Sequence, residues 1–248
     1  MKKRVLFSFV LLALFASQGI AQVASKAYSF DNTPAEGSGN LLVKTFFDGS
    51  TRDFSRMSMK ALISKKNLNH AISDAAMETL VIVKSGEIDF TLHGETKTMG
   101  AGSIALLMPQ DALRLKAKRE SSFYVMTYQS RDGKYQNAGK SALQDWDDVP
   151  YKTHDKGGIR KFYDRTTAHC KRMEMHVTNL NPGIKSHEPH THRAAEIILL
   201  TTGKSEMELG NGIVKAQKGD FYYVESEVPH GIKNIDSEQI QYFAYQFE

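Results

Sequence analysis

His190, His192, Glu196 and His230 are the residues of this 248-residue chain whose types and spacing point most directly to chemistry. Three neutral imidazoles and one carboxylate make a donor set suited to Mn, Fe, Co, Ni, Cu or Zn. Residues 190, 192 and 196 share parity, so one extended path can aim all three side chains at the same interior. His230 must then arrive from a neighbouring strand. Four protein donors leave positions open on a six-coordinate ion, and substrate or water reaches the metal through them. One divalent ion is therefore the expected cofactor.

Other residues extend this constellation. His187 adds a further imidazole, and with Glu225, Glu227 and His176 it is a candidate acid or base at the mouth of the site. In the run Arg172-Met173-Glu174-Met175-His176-Val177-Thr178, polar and apolar residues alternate. The polar face either lines a pocket or faces solvent on an antiparallel sheet. If it lines a pocket, Arg172 or His176 can meet an anionic substrate. Tyr242 and Gln246 share a face of the last strand and are expected to bind substrate with Arg172. For Tyr222 and Tyr223 the parity is open.

Short alternating segments must position these groups. Thr79–Val83, Ile88–Leu92, Phe123–Tyr128, Arg172–Val177, Ile197–Thr201, Ser205–Leu209 and Ile240–Phe247 are rich in residues that fit a pleated, half-buried surface. Turn signals separate them, among them Asn181-Pro182-Gly183 and Gly210-Asn211-Gly212. Many short strands predict an all-β sandwich or barrel. Ala61–Met77 could hold a short helix, and the polar stretch 131–160 reads as a connector.

The pattern occurs twice. Gly86 and Gly102 have the same separation as Gly203 and Gly219, each pair framed by an apolar strand before and a new strand after. The expected organisation is a signal peptide over residues 1–21, an N-terminal barrel over 22–135 and a C-terminal metal-binding barrel over 136–248. Subtracting 117 from the four ligand numbers gives Ser73, Ala75, Thr79 and Leu113, a set unsuited to a transition metal. The N-terminal barrel therefore reads as metal-free.

The signal-peptide reading rests on Lys2, Lys3 and Arg4, on the apolar run Val5–Phe15 and on Gly19 and Ala21 before a cleavage point after Ala21. The apolar run is shorter than the roughly 20 residues that span a bilayer, so no stable membrane anchor is expected. Removal of residues 1–21 takes three basic and no acidic residues, lowering the formal net charge from +4 to +1. A near-neutral mature chain argues against a nucleic-acid partner. Cys170 is a lone cysteine, so stability must come from apolar burial rather than an internal disulfide. A periplasmic or secreted location follows as the expectation.

The spacing His190-x-His192-x3-Glu196-x6-Gly203, followed by Gly219 and His230-x3-Asn234, resembles the two motifs of the cupin superfamily. Six residues rather than five separate Gly183 from His190. Glu225 and Glu227 stand where the second motif has proline and glycine. The resemblance implies two jelly-roll barrels with the metal in the second. Met175-His176-Val177, with Asn181-Pro182-Gly183 after it, resembles the ureidoglycine aminohydrolase bicupins, which release ammonia with Mn. That likeness puts Mn first, with Fe, Zn, Ni or Cu as alternatives. Those relatives carry Glu-x-His-x3-His and a glutamine as fourth ligand, so carboxylate and imidazole are in reversed order here.

Cupins host many chemistries, so function has to be argued from the site. The expected function is a metal-dependent hydrolase or isomerase acting on a small, polar, carboxylate-bearing metabolite. A periplasmic sugar- or small-molecule-binding protein without catalysis is the alternative, and dioxygenase chemistry on Fe or Cu is a third. Small-molecule substrate is the expected partner, and a homodimer through sheet edges is left open.

Overall fold

The computed structural model describes residues 20–136 and 138–248, so the expected signal peptide lies, but for its last two residues, outside the described residues. Among the described residues there is no helix, and none is long and apolar enough to cross a membrane. Each half is a jelly roll of one wide and one narrow antiparallel sheet. The wide N-terminal sheet has the order Ala142–Gln144, Ile104–Leu107, Glu78–Ser85, Ser121–Ser130, Phe54–Ser64, Leu41–Gly49, Ala35–Glu36. Its narrow partner runs Leu68–Ser73, Ala112–Ala117, Ile88–Leu92, Glu95–Met99. In the C-terminal half the wide order is Lys26–Tyr28, Phe221–Val224, Ala195–Thr202, Ile240–Phe247, Met173–Leu180, Gly157–Arg165, Tyr151–His154. The narrow sheet is Gly212–Gln217, Lys204–Leu209, His230–Asn234.

The duplication is written into strand positions. Glu78–Ser85 recurs as Ala195–Thr202, and Ile104–Leu107 recurs as Phe221–Val224, in each case 117 positions on. Gly86, Gly102, Gly203 and Gly219 all have positive φ, at 87°, 88°, 74° and 94°. These turns need a left-handed residue at the same two places in each barrel, which glycine supplies without steric cost.

Period-two alternation divides the apolar residues among three cores. Val81, Val83, Phe90, Leu113, Leu115, Phe123 and their neighbours fill the N-terminal barrel. Ile198, Leu200, Met207, Tyr222, Ile232, Ile240 and Tyr242 line the C-terminal one. The outer faces of both wide sheets meet in a third core, which joins Met57, Met59, Leu80, Ile82 and Tyr128 to Met175, Ile197, Phe221, Tyr223 and Phe243. A bulge between Thr45 and Phe47 lets two consecutive aromatics, Phe46 and Phe47, pack against this shared core.

Both ends of the barrel boundary are crossed. Lys26–Tyr28 pairs with Phe221–Val224 of the C-terminal sheet, and Ala142–Gln144 pairs with Ile104–Leu107 of the N-terminal one. Each half thus lends an edge strand to the other, covering an edge that would otherwise be open. The structure departs from the sequence expectations in two further places. Ala61–Met77 holds no helix: it contains the end of Phe54–Ser64 and the strand Leu68–Ser73. The stretch 131–160 contains the short edge strands Ala142–Gln144 and Tyr151–His154, whose polar character hid them, and the start of Gly157–Arg165.

Candidate metal centre

Register decides which side chains enter the C-terminal barrel. Glu174, Gln246 and Glu196 lie directly opposite one another across three neighbouring strands. His176, Ala244 and Ile198 form the next row, and Thr178, Tyr242 and Leu200 the third. Ile198, Leu200, Tyr242 and Ala244 belong to the barrel interior, so Glu174, His176 and Thr178 face inward with them. Met173, Met175 and Val177 turn to the shared core. Glu174, His176 and Thr178 thus lie on the inner face of the barrel, while Arg172 at the strand's start is exposed.

The four ligand candidates converge. Ligand nitrogens of His190, His192 and His230 lie within 4.8 Å of one another. Glu196 Oε2 is 3.3 Å from His192 Nε2 and 2.9 Å from His230 Nε2. The single-path expectation needs correction. Only Glu196 sits on a wide-sheet strand, whereas His190 and His192 occupy the irregular segment before it. His190 is fixed instead by an antiparallel bridge to His230, with reciprocal backbone bonds of 3.1 and 3.0 Å. His230 and Glu196 are buried at 1% and 5% exposure.

The outer ring nitrogens settle the tautomers. His192 Nδ1 is 2.8 Å from the Ala194 carbonyl and His230 Nδ1 is 2.9 Å from that of Val228. A carbonyl only accepts, so both Nδ1 atoms carry the proton and both neutral rings present an Nε2 lone pair inward. Three electron-pair donors and a carboxylate facing one point repel each other unless a cation lies among them. A divalent metal fits that requirement: the His190, His192 and His230 nitrogens could hold it, with Glu196 Oε2 beside two of them.

In the metal-free protein, protons do part of this work. Burial alone would raise the Glu196 pKa, but hydrogen bonds from His192 and His230 bring it down to about 2. The same contact with Glu196 raises His192, while burial lowers His190 and His187. Glu196 therefore contributes stability that is complete above its unfolded value near 4.5 and lost as pH falls toward 2. Protonated His192 contributes stability present below 6.5 and lost as pH rises through its raised folded value. The Glu196–His192 contact enters both statements and counts once; the whole Glu196, His192 and His230 cluster amounts to about 3 kcal/mol. Chelator-treated protein is expected to be most resistant to urea between these limits. Glu196→Gln should flatten both limbs; an unchanged pH profile in that variant would contradict the pairing.

The other sequence candidates scatter. His176 Nδ1 lies 2.8 Å from Glu174 Oε1, and both are half-buried in the interior. Glu174 was not singled out, although its i, i+2 relation to His176 on a polar face was the available signal. Gln246 reaches to 3.3 Å from His192 Nε2. Tyr242 is buried, and burial pushes its hydroxyl up to about 12, so it remains a donor. His187 is exposed and packs edge-on against His190, with ring centroids 4.1 Å apart. Glu227 is exposed at a φ of +63°, and its N–H donates to the His192 carbonyl.

Arg172 makes a bidentate pair with Asp164 at 2.8 Å, and both side chains are exposed. Glu225 is occupied by Tyr223 Oη, the Ser226 N–H and the Arg52 N–H. Tyr222 faces the barrel interior and Tyr223 the shared core. In the N-terminal barrel the place of His230 is taken by fully buried Leu113.

Comparison with known proteins places this geometry. Residues 176–244 match the family model of the cupin domain. No curated protein sequence matches the chain at a significant level. Solved structures with the same fold include AerE from Microcystis aeruginosa, at 12% identity and a TM-score of 0.70, covering 91% of this chain and 100% of that one. Ylba from E. coli aligns at 14% identity and a TM-score of 0.71, over 95% of this chain and 96% of that one. Bacillus subtilis oxalate decarboxylase, a protein with Mn(II) centres, aligns at 12% identity and a TM-score of 0.69, over 90% and 77%.

Proposed function

We propose, from the premise that the chain is a two-barrel protein of the cupin superfamily, that it is a metal-dependent enzyme acting on a small polar metabolite in its C-terminal barrel. The observation that carries this reading is the convergence of the His190, His192 and His230 ligand nitrogens, with the Glu196 carboxylate against two of them. Mn is the first assignment, supported by the Mn(II) centres of the oxalate decarboxylase that shares the fold. When bound, the ion supplies Lewis acidity toward a substrate oxygen. With Arg172 committed to Asp164, a substrate carboxylate would be met at the ion rather than by a guanidinium.

The proton chemistry belongs to the protein. Glu174 accepts the Nδ1–H of His176, which leaves the His176 Nε2 lone pair free as a base inside the barrel. Glu174 and Glu196 stand two strands apart, roughly 10 Å between backbones. Gln246 stands between them on the intervening strand, so the base and the ligand set share one face of the sheet. Proton abstraction beside a carbonyl, or activation of water for hydrolysis, are the reactions this arrangement serves. Tyr242 faces the same interior with a hydroxyl that can donate to substrate, and exposed His187 and Glu227 lie against the ligand segment. Export to the periplasm or medium belongs to the same reading and is supported by the N-terminal pattern.

The test loads purified protein with Mn and follows a panel of small hydroxy, oxo and ureido acids by proton NMR, ammonia release and oxygen uptake. Turnover is expected to require Mn. His176→Asn should lower it about 100-fold with metal content unchanged. Full activity in His176→Asn would refute the assigned base. Ligand binding without turnover would make the protein a binding module, and oxygen uptake would make it a dioxygenase.

A further inference from the structure

The N-terminal half reaches the loops that carry the ligand candidates through the turn Thr51–Phe54, beside a bond from the Glu225 N–H to Ser25 Oγ at 2.9 Å. That turn is tightly built. Thr51 N–H donates to the Phe54 carbonyl at 3.0 Å, and Phe54 N–H donates to Thr51 Oγ1 at 3.1 Å. From behind, the Arg131 guanidinium donates twice to the Thr51 carbonyl at 3.1 and 3.0 Å. The Arg131 N–H donates to the Asp53 carbonyl at 2.9 Å.

Two side chains project from the turn onto the C-terminal barrel. Asp53 binds both Nη atoms of Arg193 at 2.6 Å, and Arg52 Nη1 donates to Ser226 Oγ at 2.8 Å. Arg193 directly follows His192, and Ser226 lies in the loop that leads into His230. Those loops are also tied to one another. Ser226 Oγ donates to the Arg193 carbonyl, and the Glu227 N–H donates to that of His192 at 2.9 Å. The turn thus closes a ring of bonds around the segments that carry two of the four ligand candidates.

We propose that Asp53 and Arg52 are positioning residues for the metal centre, and that the N-terminal barrel sets metal affinity through them. The inference rests on the metal-centre reading above. Its physical basis is that His192 lies on irregular backbone, outside any strand or bridge. Groups behind a metal's ligands commonly change affinity by about 10- to 100-fold when removed. Asp53 is a step farther out, and roughly tenfold is expected. The Asp53–Arg193 pair is partly exposed, so its loss should change global stability little.

The experiment measures Mn(II) affinity by competition with a chelating dye in full-length wild type, Asp53→Ala, Asp53→Glu, Arg52→Ala and Asp48→Ala. Asp48 pairs with Arg56 on the same barrel and does not join this ring. Asp53→Ala and Arg52→Ala should each weaken Mn binding about tenfold and broaden the bound Mn(II) EPR signal, with metal-free melting within a few degrees of wild type. Asp53→Glu should recover part of the affinity, and Asp48→Ala should match wild type. Wild-type affinity in both Asp53→Ala and Arg52→Ala would overturn the inference alone. An equal loss in Asp48→Ala would do the same, since the effect would then be nonspecific. Wild type that binds no Mn would overturn the metal-centre reading itself.

Discussion

Replacing His230 by alanine is expected to strip the protein of its metal. Wild type purified with Mn present should hold about one ion per chain, and His230→Ala less than a tenth of that after dialysis, by elemental analysis. His230 is the most buried of the ligand candidates and comes from the narrow sheet, so no neighbour can take its place. The change also removes the bond to Glu196 and leaves a buried carboxylate with only His192 beside it. Breaking a buried pair in this way costs about 3 kcal/mol. The metal-free variant should therefore unfold at lower urea than metal-free wild type. Equal metal content in the two proteins would refute the ligand assignment, whatever the stability result.

The second large effect concerns the seam between the barrels. Phe221 is fully buried there, with its ring stacked on Tyr28 at 5.1 Å and edge-on to Phe46 at 5.1 Å. Phe221→Ala should cost about 3–5 kcal/mol, as other large-to-small changes in packed cores do. That corresponds to a fall in Tm of roughly 6–20 °C for a protein of this size. Because one core serves both wide sheets and each half lends the other a strand, unfolding should stay a single transition. Two separated transitions would show that the barrels are independent units. Ile213→Ala, at a side chain 65% exposed, should leave Tm unchanged and serves as the control.

These two variants probe different layers of one architecture. The seam fixes the position of the C-terminal wide sheet, which carries Glu174, His176, Glu196 and Gln246. The turn at Thr51–Phe54 then fixes the loops that sheet pairing leaves free. A barrel whose interior holds Leu113 in place of a ligand still contributes to the site from outside it.

The sequence alone determined the all-β class and the twofold repeat, and it marked the three histidines that the fold brings together. Strand alternation and paired glycines are local signals, and local steric rules write them directly into the order of residues. Parity also placed Met173, Met175 and Val177 together, but could not say which face was inside. That choice belongs to the partner: Glu174 and His176 enter the barrel because the opposite face meets a second sheet 117 positions away in the duplicated chain. The exchanged strands Lys26–Tyr28 and Ala142–Gln144 were invisible for the same reason, since an edge is covered by whatever packs nearest in space. Parity likewise left the surroundings of Arg172 open, and strand pairing brings Asp164 alongside it. Asp53 carried no signal at all, because its role depends on a contact with Arg193 across 140 residues that only the packed barrels create.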